Sequence, residues 1–66
     1  MKITINGKIH ELDSSQHLSS VIKGCGAKPE HIIAELNGKI IKQDQWDAVS
    51  IADGDQLELV TFVGGG

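Results

Sequence analysis

The sequence predicts an α+β domain: a mixed sheet of about five strands with one main helix packed on one face. Three observations lead there. Two Asn-Gly dipeptides, Asn6-Gly7 and Asn37-Gly38, each sit between short alternating apolar runs. The segment between them carries apolar residues at helical spacing. A long alternating run, Gln56 to Val63, precedes Gly64-Gly65-Gly66.

Ile3 and Ile5 alternate with Lys2 and Thr4, the pattern of a half-buried strand. Asn-Gly supplies the two positive-φ positions of a type I′ turn, so Lys8 to Leu12 reads as the returning strand. Leu18, Val21, Ile22 and Cys25 fall at i, i+3, i+4 and i+7, one stripe of a helix of about ten residues. Ser14, Ser15 or His17 starts it, the serines being the better caps. Gly24 and Gly26 stop it. Ile32, Ala34 and Leu36 alternate with Ile33 and Glu35 before the second Asn-Gly, and Lys39 to Lys42 returns. Asp44 to Val49 is a loop or short 3₁₀ turn, with Trp46 packed over the second hairpin. Asp53-Gly54-Asp55 is a turn, and Gln56 to Val63 is the longest strand. The simplest closure puts this last strand in the centre, parallel to the first. By analogy at the level of folds, that is the ubiquitin-like β-grasp. It divides the chain into a domain at 1–63 and a flexible glycine tail at 64–66.

Composition narrows the function. With 66 residues there is room for one small core and none for a deep catalytic cleft. Aromatic residues make up 3%, too few for stacked recognition of bases. All six cations are lysines against nine acids, a net charge of −3, so neither nucleic acid nor an anionic membrane is an expected partner. A single cysteine, no signal peptide and no spanning segment fit a reducing cytoplasm.

The glycine tail is the principal candidate site. Glycine averages about 7% of residues, so three together at an end arise by chance at roughly 3 in 10,000. They form either a frayed end or a reactive one. In the second case the α-carboxylate of Gly66 is the group modified, after ATP-dependent adenylation by another enzyme. Gly64, Gly65 and Gly66 thread a narrow site because residues without Cβ adopt any φ between close walls. Glu58, Val60 and Phe62 share the face of the last strand opposite Leu57 and Leu59. They are either a docking patch or scattered apolar surface. Cys25 reads as a core or helix-end residue rather than a reactive thiol. His10, His17 and His31 lack metal-ligand spacing, and Asp53 and Asp55 lack the rest of a calcium loop, so no metal is expected.

Gln45-Trp46-Asp47, Asp53-Gly54-Asp55-Gln56-Leu57-Glu58-Leu59-Val60 and Phe62-Val63-Gly64-Gly65-Gly66, with the two Asn-Gly turns, resemble the sulfur carrier proteins of thiamine biosynthesis. The match covers essentially the whole chain. The resemblance implies a β-grasp whose Gly65-Gly66 end is adenylated by a ubiquitin-activating-like enzyme. It further implies conversion of that end to a thiocarboxylate with sulfur from a cysteine desulfurase pathway, and transfer of the sulfur to thiazole synthase. The chain is then a carrier and not an enzyme. It binds no cofactor itself, and ATP is used by its activating partner. Three other readings stand beside this one: a small subunit of molybdopterin synthase, a protein-conjugating modifier, and a β-grasp binding module with an inert tail.

Overall fold

The computed structural model describes residues 1–26 and 28–62. Strands β1 (Lys2–Ile5) and β2 (Lys8–Glu11) form the first hairpin. Helix α1 (Leu18–Gly24) follows, then a 3₁₀ turn (Pro29–His31) and the second hairpin, β3 (Ile32–Leu36) with β4 (Lys39–Ile41). A second 3₁₀ turn (Gln43–Ala48) leads to β5 (Gln56–Thr61). The sheet order is β2-β1-β5-β3-β4, with β5 central and parallel to β1 and the other pairs antiparallel. This is the expected β-grasp. The expected boundary between domain and tail falls outside the described residues.

Both Asn-Gly turns have positive φ at both positions, 50° and 82° in the first and 51° and 86° in the second. This is the type I′ geometry that matches strand twist. The asparagines do more than turn the chain. Asn6 Oδ1 accepts from the Leu59 amide at 2.7 Å, and its Nδ2 donates to the Leu59 carbonyl at 3.2 Å. Asn37 Oδ1 accepts from the Gln56 amide at 2.9 Å, and its Nδ2 donates to Asp55 Oδ1 at 3.0 Å. Each hairpin thereby grips one part of the central strand. Asn6→Gly keeps the positive φ and removes only the grip, so it is expected to cost about 1–2 kcal/mol in urea denaturation. A loss below about 0.3 kcal/mol would show that the turn alone matters.

The core is Ile3, Ile5, Leu18, Val21, Ile22, Ile32, Ala34, Trp46, Ile51 and Leu57. The strand members come from alternate positions, as a sheet covered on one face requires. Trp46 is buried in the second 3₁₀ turn, which packs against α1, and its Nε1 donates to the Ile41 carbonyl at 3.0 Å.

Three expectations are corrected. First, α1 has seven residues, not about ten, and neither serine caps it. His17 is the N-cap without a side-chain bond, while Ser15 Oγ donates to the Ile51 carbonyl at 3.1 Å. The reason is tertiary. A bridge between His17 and Ser50 holds the entering chain extended, and Leu18 N–H donates to the Val49 carbonyl at 2.8 Å. An orphan amide of the first turn is thus satisfied without a cap. Second, Leu18, Val21 and Ile22 are buried, but Cys25 is exposed. The helix stops at Gly24, so the fourth position of the stripe becomes the C-cap and leaves the packed surface. Third, β5 ends at Thr61. Phe62 follows it outside the strand, and Val63 lies outside the described residues.

The Asp53-Gly54-Asp55 turn sets the start of β5. Gly54 has φ 86°, and its amide donates to the Lys2 carbonyl at 2.7 Å. Asp53 Oδ1 accepts from the Lys2 amide and Asp55 Oδ2 from the Ala52 amide, both at 2.7 Å. Both carboxylates are therefore engaged by backbone donors, as in a turn and unlike a calcium loop. None of the helices among the described residues is long and apolar enough to cross a membrane.

Candidate functional site

The helix covers one face of the sheet, and the opposite face is open. Pairing register assigns residues to it. Leu57 is buried and Leu59 packs against the core, so Glu58 and Val60 point away. Across the β3–β5 ladder Val60 faces Ile33, and Glu58 faces Glu35. Across β3–β4, Glu35 faces Ile40. Across β1–β2, Ile9 faces Thr4. The exposed large apolar side chains are Ile9, Ile33, Ile40, Val60 and Phe62, at 73, 43, 68, 55 and 40%. Large apolar side chains are thus exposed on the face that the helix leaves open.

The far end of β5 is anchored. Phe62 N–H donates to the His31 carbonyl at 2.9 Å. The two rings meet edge to face, with centroids 6.4 Å apart and planes at 64°. This is a favourable aromatic geometry. The last described residue is therefore tied by backbone and ring to the first 3₁₀ turn. Gly64, Gly65 and Gly66 lie outside the described residues.

Glu58 and Val60, two of the expected docking residues, thus stand on the open face, and the third, exposed Phe62, lies just past the end of the strand. Four others on that face, Ile9, Ile33, Glu35 and Ile40, escaped the sequence reading. The alternation of β3 already placed Ile33 and Glu35 opposite its buried residues. Their neighbours became visible only with the register.

Elsewhere the described residues offer no group of three metal-ligating side chains. Two clefts of about 370 and 280 Å³ flank the helix on the covered side. The first is lined by Ile22, Pro29 and Trp46, and the second by His10, Val21 and Cys25. Both are mainly apolar and distant in the fold from the open face.

Comparison with known proteins agrees with this architecture. The ThiS family model matches residues 3–66. The chain is 35% identical over 66 residues to a thiazole synthase of Magnetococcus marinus and 32% identical to one of Paramagnetospirillum magneticum. It is matched in full in both, and spans 20% of each of those proteins. The crystal structure of the thiamine biosynthesis protein ThiS from Geobacter metallireducens superposes with a TM-score of 0.86 at 33% identity over all of both chains. The solution structure of a thiamine biosynthesis protein from the same organism gives 0.80 at 33% identity, over all of this chain and 88% of the other. The shared fold and a family match running through residues 3–66 lead to one assignment: the chain belongs to the ThiS family.

Proposed function

We propose that the chain carries sulfur for formation of the thiamine thiazole on the α-carboxyl group of Gly66. The observation that supports this most is the run Gly64-Gly65-Gly66 beyond the central strand, inside the segment that the family model matches. A carboxylate is a poor acyl donor, because its leaving group would be oxide. An adenylating enzyme related to the ubiquitin-activating enzymes joins it to AMP, with release of pyrophosphate from ATP. Sulfur leaves a cysteine desulfurase as a persulfide; a thiol reductant, itself oxidised to a disulfide, brings it to the oxidation level of sulfide, and it displaces AMP to leave a thiocarboxylate. Thiazole synthase accepts the sulfur, and hydrolysis restores the carboxylate. The chain contributes delivery and no catalysis. Its glycines pass where a Cβ would clash, and Glu58, Val60 and Phe62 dock the enzyme. The reading implies no bound cofactor and a reducing cytoplasm.

The likeness to thiazole synthases supports that enzyme as the acceptor, since a segment resembling this chain there belongs to the same polypeptide. The test is intact mass after incubation with the activating enzyme, ATP, a cysteine desulfurase, cysteine and a thiol reductant. A gain equal to sulfur replacing one oxygen is expected, absent without ATP and absent after deletion of Gly66. An unchanged mass beside a competent control carrier would overturn the proposal.

A further inference from the structure

Asn-Gly is a reactive dipeptide as well as a turn former. Glycine sets no Cβ beside its peptide nitrogen, so that nitrogen can reach the side-chain carbonyl of the asparagine before it. The chain has two such sites, Asn6-Gly7 and Asn37-Gly38, and Asn6, Gly7 and Gly38 are exposed. No heavy atom lies within 4 Å of the point where a Cβ of Gly7 or Gly38 would stand, so water reaches both turns. In each, the two polar atoms of the asparagine side chain are held by partners in or just before β5. The two sites differ in what else secures them. Among the described residues, β1 meets β5 at Thr4–Gln56 and Ile5–Leu57, whereas β3 runs along it from Ile32–Thr61 to Leu36–Leu57. Asn6 N–H donates to the Leu57 carbonyl at 2.9 Å, and the next rung, at Leu59, is made by the Asn6 side chain. On the outer side of β1, β2 is exposed along its whole length, while β4 is partly buried at Ile41. The first hairpin is therefore the less firmly held, and it opens from β5 at lower cost than the second.

We infer that Asn6 is a self-modifying site: when the first hairpin lifts from β5, its side chain deamidates, and the grip on Leu59 is lost for good. Held by Leu59 at two atoms, the amide cannot turn about its Cα–Cβ bond toward the Gly7 nitrogen. Once released, it can. The Gly7 nitrogen gives up its proton and bonds to Cγ of Asn6, the Cγ–Nδ2 bond breaks, and Nδ2 leaves as ammonia with that proton. One water then opens the succinimide. Cleavage at Cγ gives an aspartate, and cleavage at the main-chain carbonyl gives an isoaspartate. The net change is amide plus water to carboxylate plus ammonium, with no oxidant and no cofactor. Neither product restores the native contact. The donor to the Leu59 carbonyl has become an acceptor, so two oxygens confront each other where Nδ2 stood. The isoaspartate also adds a methylene to the main chain, which a two-residue type I′ turn does not accommodate. The product is a chain whose first hairpin is unfastened from the half of β5 that leads to the glycine run.

The experiment ages the purified chain near neutral pH, in buffer and in urea, and follows each Asn-Gly peptide by mass spectrometry. Conversion is read as the mass gained when an amide becomes a carboxylate, with aspartyl and isoaspartyl forms separated by chromatography. Asn6 is expected to convert at least about tenfold more slowly in buffer than in urea, because only the opened fraction reacts. In buffer it is expected to convert several-fold faster than Asn37. Urea added below the unfolding transition is expected to raise the Asn6 rate in step with hydrogen exchange of the Leu59 amide. Converted chains, isolated by ion exchange, are expected to unfold at a lower urea midpoint. Equal rates at Asn6 in buffer and in urea overturn the inference, because the grip then protects nothing. So does conversion of Asn37 at the Asn6 rate or faster. An Asn6 rate that stays flat while Leu59 exchange rises, or an unchanged urea midpoint after conversion, overturns it as well.

Discussion

Trp46→Ala is expected to remove most of the stability of the domain. Trp46 is 4% exposed, and it is the only tryptophan in the chain. It holds the second 3₁₀ turn against α1 and donates to the Ile41 carbonyl. Truncating a buried tryptophan costs about 3–5 kcal/mol in transfer and cavity terms. A domain of this length has a total of roughly 3–10 kcal/mol to lose. The variant should therefore be largely unfolded at moderate temperature. The indole is also the natural fluorophore, so the measurement is far-UV circular dichroism or amide dispersion in NMR. Trp46→Phe keeps much of the volume and loses the hydrogen bond, and it should fall between. A loss below about 1 kcal/mol for the alanine variant would make the indole a surface cover rather than a wedge between helix and hairpin.

Gly65→Val should separate stability from function. The core of the described residues runs from Ile3 through Leu57, and a glycine has no side chain to add to it, so the melting temperature is expected to stay within about one degree. Adenylation is expected to fall on the order of 10²-fold, the scale of loss when a reacting group is displaced by about an ångström. A β-branched side chain both narrows the accessible backbone and adds bulk where the proposal requires passage between close walls. ATP–pyrophosphate exchange with the activating enzyme measures the effect. Exchange at the wild-type rate would mean that the tail does not thread a narrow site.

Parts of the architecture were legible because their causes are local. Asn6-Gly7 and Asn37-Gly38 specify their turns through the φ values those two residues tolerate, with no help from afar. The parity of β1, β3 and β5 follows from side chains alternating across a strand. Leu18, Val21 and Ile22 announce the helix for the same kind of reason. Its ends were misread because they are not local. The backbone from Val49 to Ile51 does the work expected of a serine cap, and it lies more than thirty residues from Ser14 and Ser15. Cys25 shows the other side of the error. A stripe extrapolated by one position passes the point where the helix stops.

The candidate site divides in the same way. The glycine run, the exposed parity of Glu58, Val60 and Phe62, and the resemblance to sulfur carriers all reside in contiguous sequence. The grip of Asn6 on Leu59 spans 53 positions, and the grip of Asn37 on Gln56 spans 19. The contact of Phe62 with His31 and the confrontation of Glu35 with Glu58 likewise depend on which residues β3 and β5 bring level. By itself, then, the sequence determined the turns, the strand parities and the helical stripe, and it carries the glycine run on which the proposed function rests. The tertiary structure decided the helix limits, the exposure of Cys25 and the composition of the open face. Turns and parity obey near-neighbour sterics, whereas register is the outcome of many distant residues burying one core together.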